Sequence, residues 1–133
     1  MGVDIVILSD PNTVLPLAIM DGTLITAMRT SASAGVAAKY LARKDSKIAC
    51  CVGAGVIGRT MIMALKIVLP NLKEIKLFDL NFEKAQSLAA EFNDEINVMA
   101  TNDLESSAKG ADIIATMTTS KKPFLRVQVF SPC

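Results

Sequence analysis

The sequence predicts an α/β chain: a doubly wound parallel sheet preceded by a β-hairpin and a long connecting helix. Three observations carry this. From Ile48 onward, short apolar runs alternate with helical patterns, the arrangement that parallel strands joined by right-handed crossovers require. Before that alternation stand two apolar runs around a cluster of turn formers, then a long stretch of small and helix-forming residues. The first strand of the alternating part ends in Gly53-Ala54-Gly55-Val56-Ile57-Gly58, a glycine loop between a strand and a helix.

Each element has its own signal. Val3 to Leu8 and Val14 to Met20 flank Ser9-Asp10-Pro11-Asn12, which reads as a β-hairpin. Thr23 to Arg43 reads as one helix, with Asp21 placed to cap it and Leu24, Met28, Val36 and Tyr40 among its larger apolar positions. Within it, Ser31-Ala32-Ser33-Ala34-Gly35 lets either a neighbouring helix or a ligand approach closely. A break follows at Arg43 to Lys47. Ile48 to Val52 is a buried strand, Val56 to Leu69 a helix stopped by Pro70, and Glu74 to Phe78 an alternating strand. Asn81 to Phe92 is a helix capped by Asn81, with Phe82, Ala85, Leu88, Ala89 and Phe92 on one side. Ile96 to Met99 is a strand, Asp103 to Lys109 a short helix, and Asp112 to Met117 a further strand. No repeat or low-complexity tract interrupts the pattern.

Composition bounds the function. With 133 residues, 51% hydrophobic and 20% charged, the chain can close one core and is not disordered. Fourteen lysines and arginines against 13 acids leave a net charge of +1, far from what a nucleic-acid partner asks for. The absence of histidine removes the commonest metal ligand and general base, so no metal site is expected. Cys50, Cys51 and Cys133 are too few and badly spaced for zinc and fit a reducing compartment, with Cys50 and Cys51 filling the first buried strand. The seven methionines read as core packing. The opening MGVDIVILSD has neither a basic leader nor a membrane-length apolar run, so a cytoplasmic protein without a membrane partner is expected.

The chemistry gathers around the glycine loop. Gly53 permits a tight turn, Gly55 lets backbone approach a pyrophosphate, and Gly58 lets the helix sit close to the sheet. The second strand of the unit ends in Asp79, 21 residues after Gly58, where a carboxylate accepts hydrogen bonds from ribose hydroxyls and repels a 2′-phosphate. This is the fingerprint of a Rossmann-like dinucleotide site and favours NAD over NADP. The plainer alternative is that Asp79 caps the next turn and the glycines only pack the crossover. Thr116-Met117-Thr118-Thr119-Ser120 closes the last strand at the edge where such folds bind ligands. Its hydroxyls either line the nicotinamide half or satisfy their own turn. Arg29, in a small and apolar helical stretch, either faces solvent or holds a carboxylate or phosphate.

The stretch Leu15-Pro16-Leu17-Ala18-Ile19-Met20-Asp21-Gly22-Thr23-Leu24-Ile25-Thr26-Ala27-Met28-Arg29-Thr30, then Ala37-Ala38-Lys39-Tyr40-Leu41-Ala42, the glycine loop and Ala111-Asp112-Ile113-Ile114, resembles the ornithine cyclodeaminase and mu-crystallin family. The resemblance runs from about Asp4 to about Phe124. It implies that residues 1–43 belong to a substrate and dimerisation domain and 44–133 to an NAD-binding Rossmann domain. It also implies that Arg29 lies where substrate meets cofactor, and that Gly55, Val56, Ile57, Asp79 and Thr116 or Thr118 contact the dinucleotide. The implied chemistry is hydride transfer from an amino-acid α-carbon to NAD, giving an imine, with an amino acid or cyclic imine as substrate and a homo-oligomer as the working form.

Against the family's pattern the chain is expected to be incomplete. It lacks the segment carrying a substrate-contacting lysine and stops before the glycine-rich loop whose aspartate is assigned the acid or base role. Val127 to Cys133 does not resemble the family's continuation. A second class of function therefore stands beside the first: a catalytically incomplete dinucleotide-binding or oligomerising module. A third is a regulatory domain completed by a separate chain.

Overall fold

The fold is a computed structural model that describes residues 4–92 and 94–125. Val3, Cys133 and the stretch from Val127 therefore lie outside the described residues. The chain runs β1 (Ile5–Ser9), β2 (Pro16–Asp21), α1 (Thr23–Leu41), β3 (Ile48–Val52), α2 (Val56–Val68), β4 (Glu74–Phe78), α3 (Phe82–Ala90), β5 (Asn97–Thr101), α4 (Leu104–Ala108) and β6 (Ile113–Thr116). β1 and β2 form the antiparallel hairpin, and the other four strands form one parallel sheet in the order β5-β4-β3-β6. The order reverses between β3 and β6, so their carboxyl ends form the crevice in which doubly wound sheets bind ligands.

The hairpin turn is longer than the sequence suggests. Asp10 accepts from Asn12 N–H at 2.9 Å and from Thr13 N–H at 2.8 Å, while Val14 adopts a positive φ of 61°. Val14 and Leu15 are thereby drawn into the loop, and the second strand starts at Pro16. Gly22, rather than Asp21, occupies the cap position of α1, although the Asp21 carboxylate does accept from Thr23 N–H at 2.6 Å. A Cβ at Gly22 would stand 3.1 Å from side-chain atoms of Asp4 and Val6, so the position favours glycine.

The small-residue stretch of α1 is a helix-packing surface. Ala27, Ser31 and Gly35 are its buried face, and a Cβ on Gly35 would lie 3.3 Å from that of Ala64 on α2. The Ser31 and Thr60 hydroxyls share a buried hydrogen bond of 2.7 Å. Leu24, Met28, Val36 and Tyr40 are exposed. α1 ends at Leu41, two residues short of the expected Arg43, because Ala42 turns extended and Arg43 pairs with Asp112.

β3 organises the core. Ala49 and Cys51 face the larger cluster with Ile62, Leu65, Ile75, Leu77, Leu88 and Phe92, whereas Cys50 and Val52 face a smaller one with Ala108. The cysteines thus fill the first parallel strand as expected. The methionines do so only in part: Met61 is buried, but Met20, Met28, Met63 and Met99 are exposed. Asn81 caps α3, accepting from Lys84 N–H at 3.2 Å, and Asp103 caps α4 rather than opening it. Phe82, expected on the buried side of α3, is partly exposed. β5 extends to Thr101 because Ala100 and Thr101 pair with Leu77 and Phe78.

Asp112, expected inside the last strand, precedes it. Its Oδ2 accepts from the N–H of Lys47 at 2.8 Å and of Ile48 at 3.0 Å, and its Oδ1 meets Arg43. These backbone donors hold its pKa below the ordinary 3.8. A depressed carboxylate contributes stability that is full above its unfolded pKa and is lost as pH falls through the folded one. Asp112→Asn is therefore expected to flatten the acid limb of an unfolding titration below about pH 4, and an unchanged limb would contradict the assignment.

Candidate functional site

The glycine loop is shaped by two close approaches. Gly53 has a φ of +115°, and a Cβ there would lie 2.5 Å from the Met117 carbonyl oxygen. A Cβ on Gly58 would lie 2.2 Å from the Gly53 carbonyl oxygen. Neither position admits a side chain without moving backbone. At Gly55 a Cβ would meet nothing within 4 Å. The middle glycine is therefore spare as far as the protein's own packing goes, and the open space in front of it suits a bulky group approaching the backbone.

Gly55 is also the N-cap of α2 and supplies no side-chain cap. The N–H groups of Gly55, Val56 and Ile57 have no hydrogen-bond partner among the described residues. Unpaired donors at the positive end of a helix dipole form an anion cradle. Gly53 itself is anchored, donating to the Phe78 carbonyl at 2.7 Å.

Asp79 stands beside this cradle at the end of β4. Its Oδ2 accepts from Ala54 N–H at 2.7 Å and its Oδ1 from Asn81 N–H at 2.9 Å. Capping of the next turn is thus one of its roles, yet each oxygen retains a second acceptor position for a ribose hydroxyl. Leu80, next to it, is 96% exposed. On the other side of the crevice, Met117 N–H donates to the Val52 carbonyl at 2.8 Å, which carries Thr116 and Thr118 to the rim. Thr116 is exposed, and the Thr118 and Ser120 hydroxyls take part in their own turn, with Ser120 Oγ donating to the Lys122 carbonyl at 2.8 Å.

Gly53, Gly55, Val56, Ile57, Gly58 and Asp79 thus come together, with Thr116 and Thr118 across the crevice. Arg29 lies outside these elements, on α1. α1 touches the first turn of α2 through Ala27 and Ser31, with Thr60 Oγ1 lying 3.2 Å from the Ala27 carbonyl oxygen and Ser31 Oγ 3.4 Å from that of Ile57. Arg29 is two residues from each, so about 200° around the helix from that contact, and is exposed. Sequence reasoning missed Ala54 and Met117, whose backbone atoms shape the loop. A cavity of about 390 Å³ lies between α1, α2 and β6, lined among others by Ala34, Ala38, Leu41, Met61 and Ile113, and it reaches Thr116 at the end of β6. Among the described residues there is no metal-ligand cluster, and no helix is long and apolar enough to cross a membrane.

A parallel sheet with a glycine loop and an acid at the next strand's end is shared by many dinucleotide folds, and sequence comparison narrows the choice. The profile of the ornithine cyclodeaminase/mu-crystallin family matches residues 2–132. The chain belongs to that family. It is 35% identical over 124 residues to an alanine dehydrogenase of Archaeoglobus fulgidus, a match covering 93% of this chain and 38% of that protein. Its fold superposes on the Δ1-pyrroline-2-carboxylate reductase of Thermococcus litoralis, solved with NADH and L-proline, with a TM-score of 0.86 and 41% identity, over 92% of this chain and 38% of the other. An archaeal alanine dehydrogenase dimer with bound NAD gives a TM-score of 0.85 and 33% identity, over 94% and 38% of the two chains. The chain thus spans well under half the length of the relatives it matches.

Proposed function

We propose that the chain forms the NAD-binding part of an enzyme that interconverts amino acids and imines. The carrying observation is the pairing of an open cradle at Gly55 with the Asp79 carboxylate at the neighbouring strand end. The free N–H groups of Gly55, Val56 and Ile57 would hold the pyrophosphate, and Asp79 the adenosine ribose. Thr116 and Thr118 stand where the nicotinamide half would extend. When bound, NAD supplies the hydride acceptor that turns the α-carbon–nitrogen bond of an amino acid into an imine. In the cyclodeaminase variant of this chemistry the side-chain amine then closes on the imine, ammonia leaves and the hydride returns. In this reading residues 1–43 contribute to substrate binding and dimerisation and 44–133 form the dinucleotide domain, in a cytoplasmic setting that suits the free thiols Cys50 and Cys51.

Calorimetric titration tests the cofactor. NAD should bind, and NADP should bind about tenfold or more weakly, because the 2′-phosphate would face the Asp79 carboxylate. Equal affinities, or no binding of either, would remove the proposal.

A second reading, a dinucleotide-binding or self-associating module without turnover, is supported by the exposed Ile5, Ile7, Leu17 and Ile19 of the hairpin. Reduction of NAD by alanine, or release of ammonia from ornithine or lysine, in the presence of the chain and NAD would favour the enzyme; binding of NAD without either would favour the module.

A further inference from the structure

The carboxylate of Asp79 is held between backbone donors from two different elements. Ala54 N–H, in the glycine loop, points at Oδ2 from 2.7 Å, and Asn81 N–H, at the cap of α3, points at Oδ1 from 2.9 Å. The Gly53–Ala54 peptide is thereby fixed at both ends: its N–H on Asp79, and its carbonyl oxygen against Gly58, where a Cβ would come within 2.2 Å. This peptide immediately precedes the free N–H groups of the cradle.

Two converging donors require an acceptor at each end of the side chain. Aspartate provides that, whereas asparagine would set its amide N–H against one of the two backbone N–H groups. We infer that Asp79 is a positioning residue for the phosphate-binding loop, in addition to the ribose contact proposed above. This inference rests on the dinucleotide reading for its ligand but not for its geometry. It follows that replacing Asp79 by an uncharged residue to admit NADP would disorder the phosphate loop and weaken both dinucleotides, instead of exchanging one preference for the other.

The test separates the two roles with ADP and 2′,3′-dideoxy-ADP, which keeps the pyrophosphate and lacks the ribose hydroxyls. Asp79→Asn should weaken the dideoxy compound by about tenfold, with ADP falling at least as far. Loss confined to ADP would leave Asp79 with the ribose role alone and overturn the inference. A second measurement needs neither variant nor ligand: in the unmodified chain the Ala54 amide should exchange with deuterium at least about tenfold more slowly than that of Gly55, which has no partner among the described residues. Equal exchange would overturn the inference even if Asp79→Asn fails to fold. If the unmodified chain binds no ADP, the dinucleotide reading falls, while the exchange comparison still decides whether Asp79 fixes the loop.

Discussion

Alanine at Gly53 is expected to abolish dinucleotide binding and to lower the unfolding free energy by about 3 kcal/mol or more, because strain and overpacking act at the same atom. The new Cβ would meet the Met117 carbonyl oxygen at 2.5 Å on a backbone with a φ of +115°. Both the loop and the β3–β6 crevice would have to open. Alanine at Gly55 has nothing within 4 Å to strike, so its stability cost should stay below about 1 kcal/mol, the loss of a favoured cap residue. Binding should nevertheless fall, since the added methyl occupies the space through which a pyrophosphate reaches the backbone. Denaturant unfolding and NAD calorimetry on the two variants would read these effects separately. A Gly53→Ala protein as stable as the parent would contradict the loop geometry, and full NAD affinity in Gly55→Ala would contradict the cradle.

Ile62→Ala is expected to destabilise the chain by about 2–5 kcal/mol, the range for emptying a large aliphatic position in a packed core. Ile62 is fully buried on α2 and belongs to the cluster that includes Ile75 and Leu77 of β4. That loss is a large share of the 5–15 kcal/mol that holds a domain of this kind together. Ile67, on the same helix but 79% exposed, provides the control: its truncation should change stability by less than about 0.5 kcal/mol. Matching denaturation midpoints for the two variants would mean that α2 does not face the sheet as described.

The alternation of strand and helix was legible because it follows from residue-scale rules: apolar runs for buried strands, helical spacing for crossovers, and caps such as Asn81. What the sequence left indistinct lies where a distant partner decides. α1 stops before Arg43 because Arg43 is engaged by Asp112, 69 positions away, and β5 reaches Thr101 because Phe78 is there to pair with it. The roles of Gly53 and Gly58 could be read from the motif, since positive φ and close helix contact are properties of glycine itself. The Ala54–Asp79 bond could not, for it depends on how the loop folds back over the strand end. Arg29 is a different case: counting two residues from Ala27 and from Ser31 would have placed it opposite any packing face those small residues form.

The adjacent thiols of β3 have a consequence for how the molecule meets reagents. Cys50 and Cys51 point to opposite sides of the sheet, and burial raises the first to about 11 and the second to about 12. At neutral pH neither is a thiolate, so neither is a nucleophile while the sheet is closed. β3 is flanked by β4 and β6, so an electrophile reaches these sulfurs only when the middle of the domain comes apart. The pair is thus a built-in clock: alkylation of Cys50 and Cys51 keeps time with global opening, not with local breathing of the loop or hairpin.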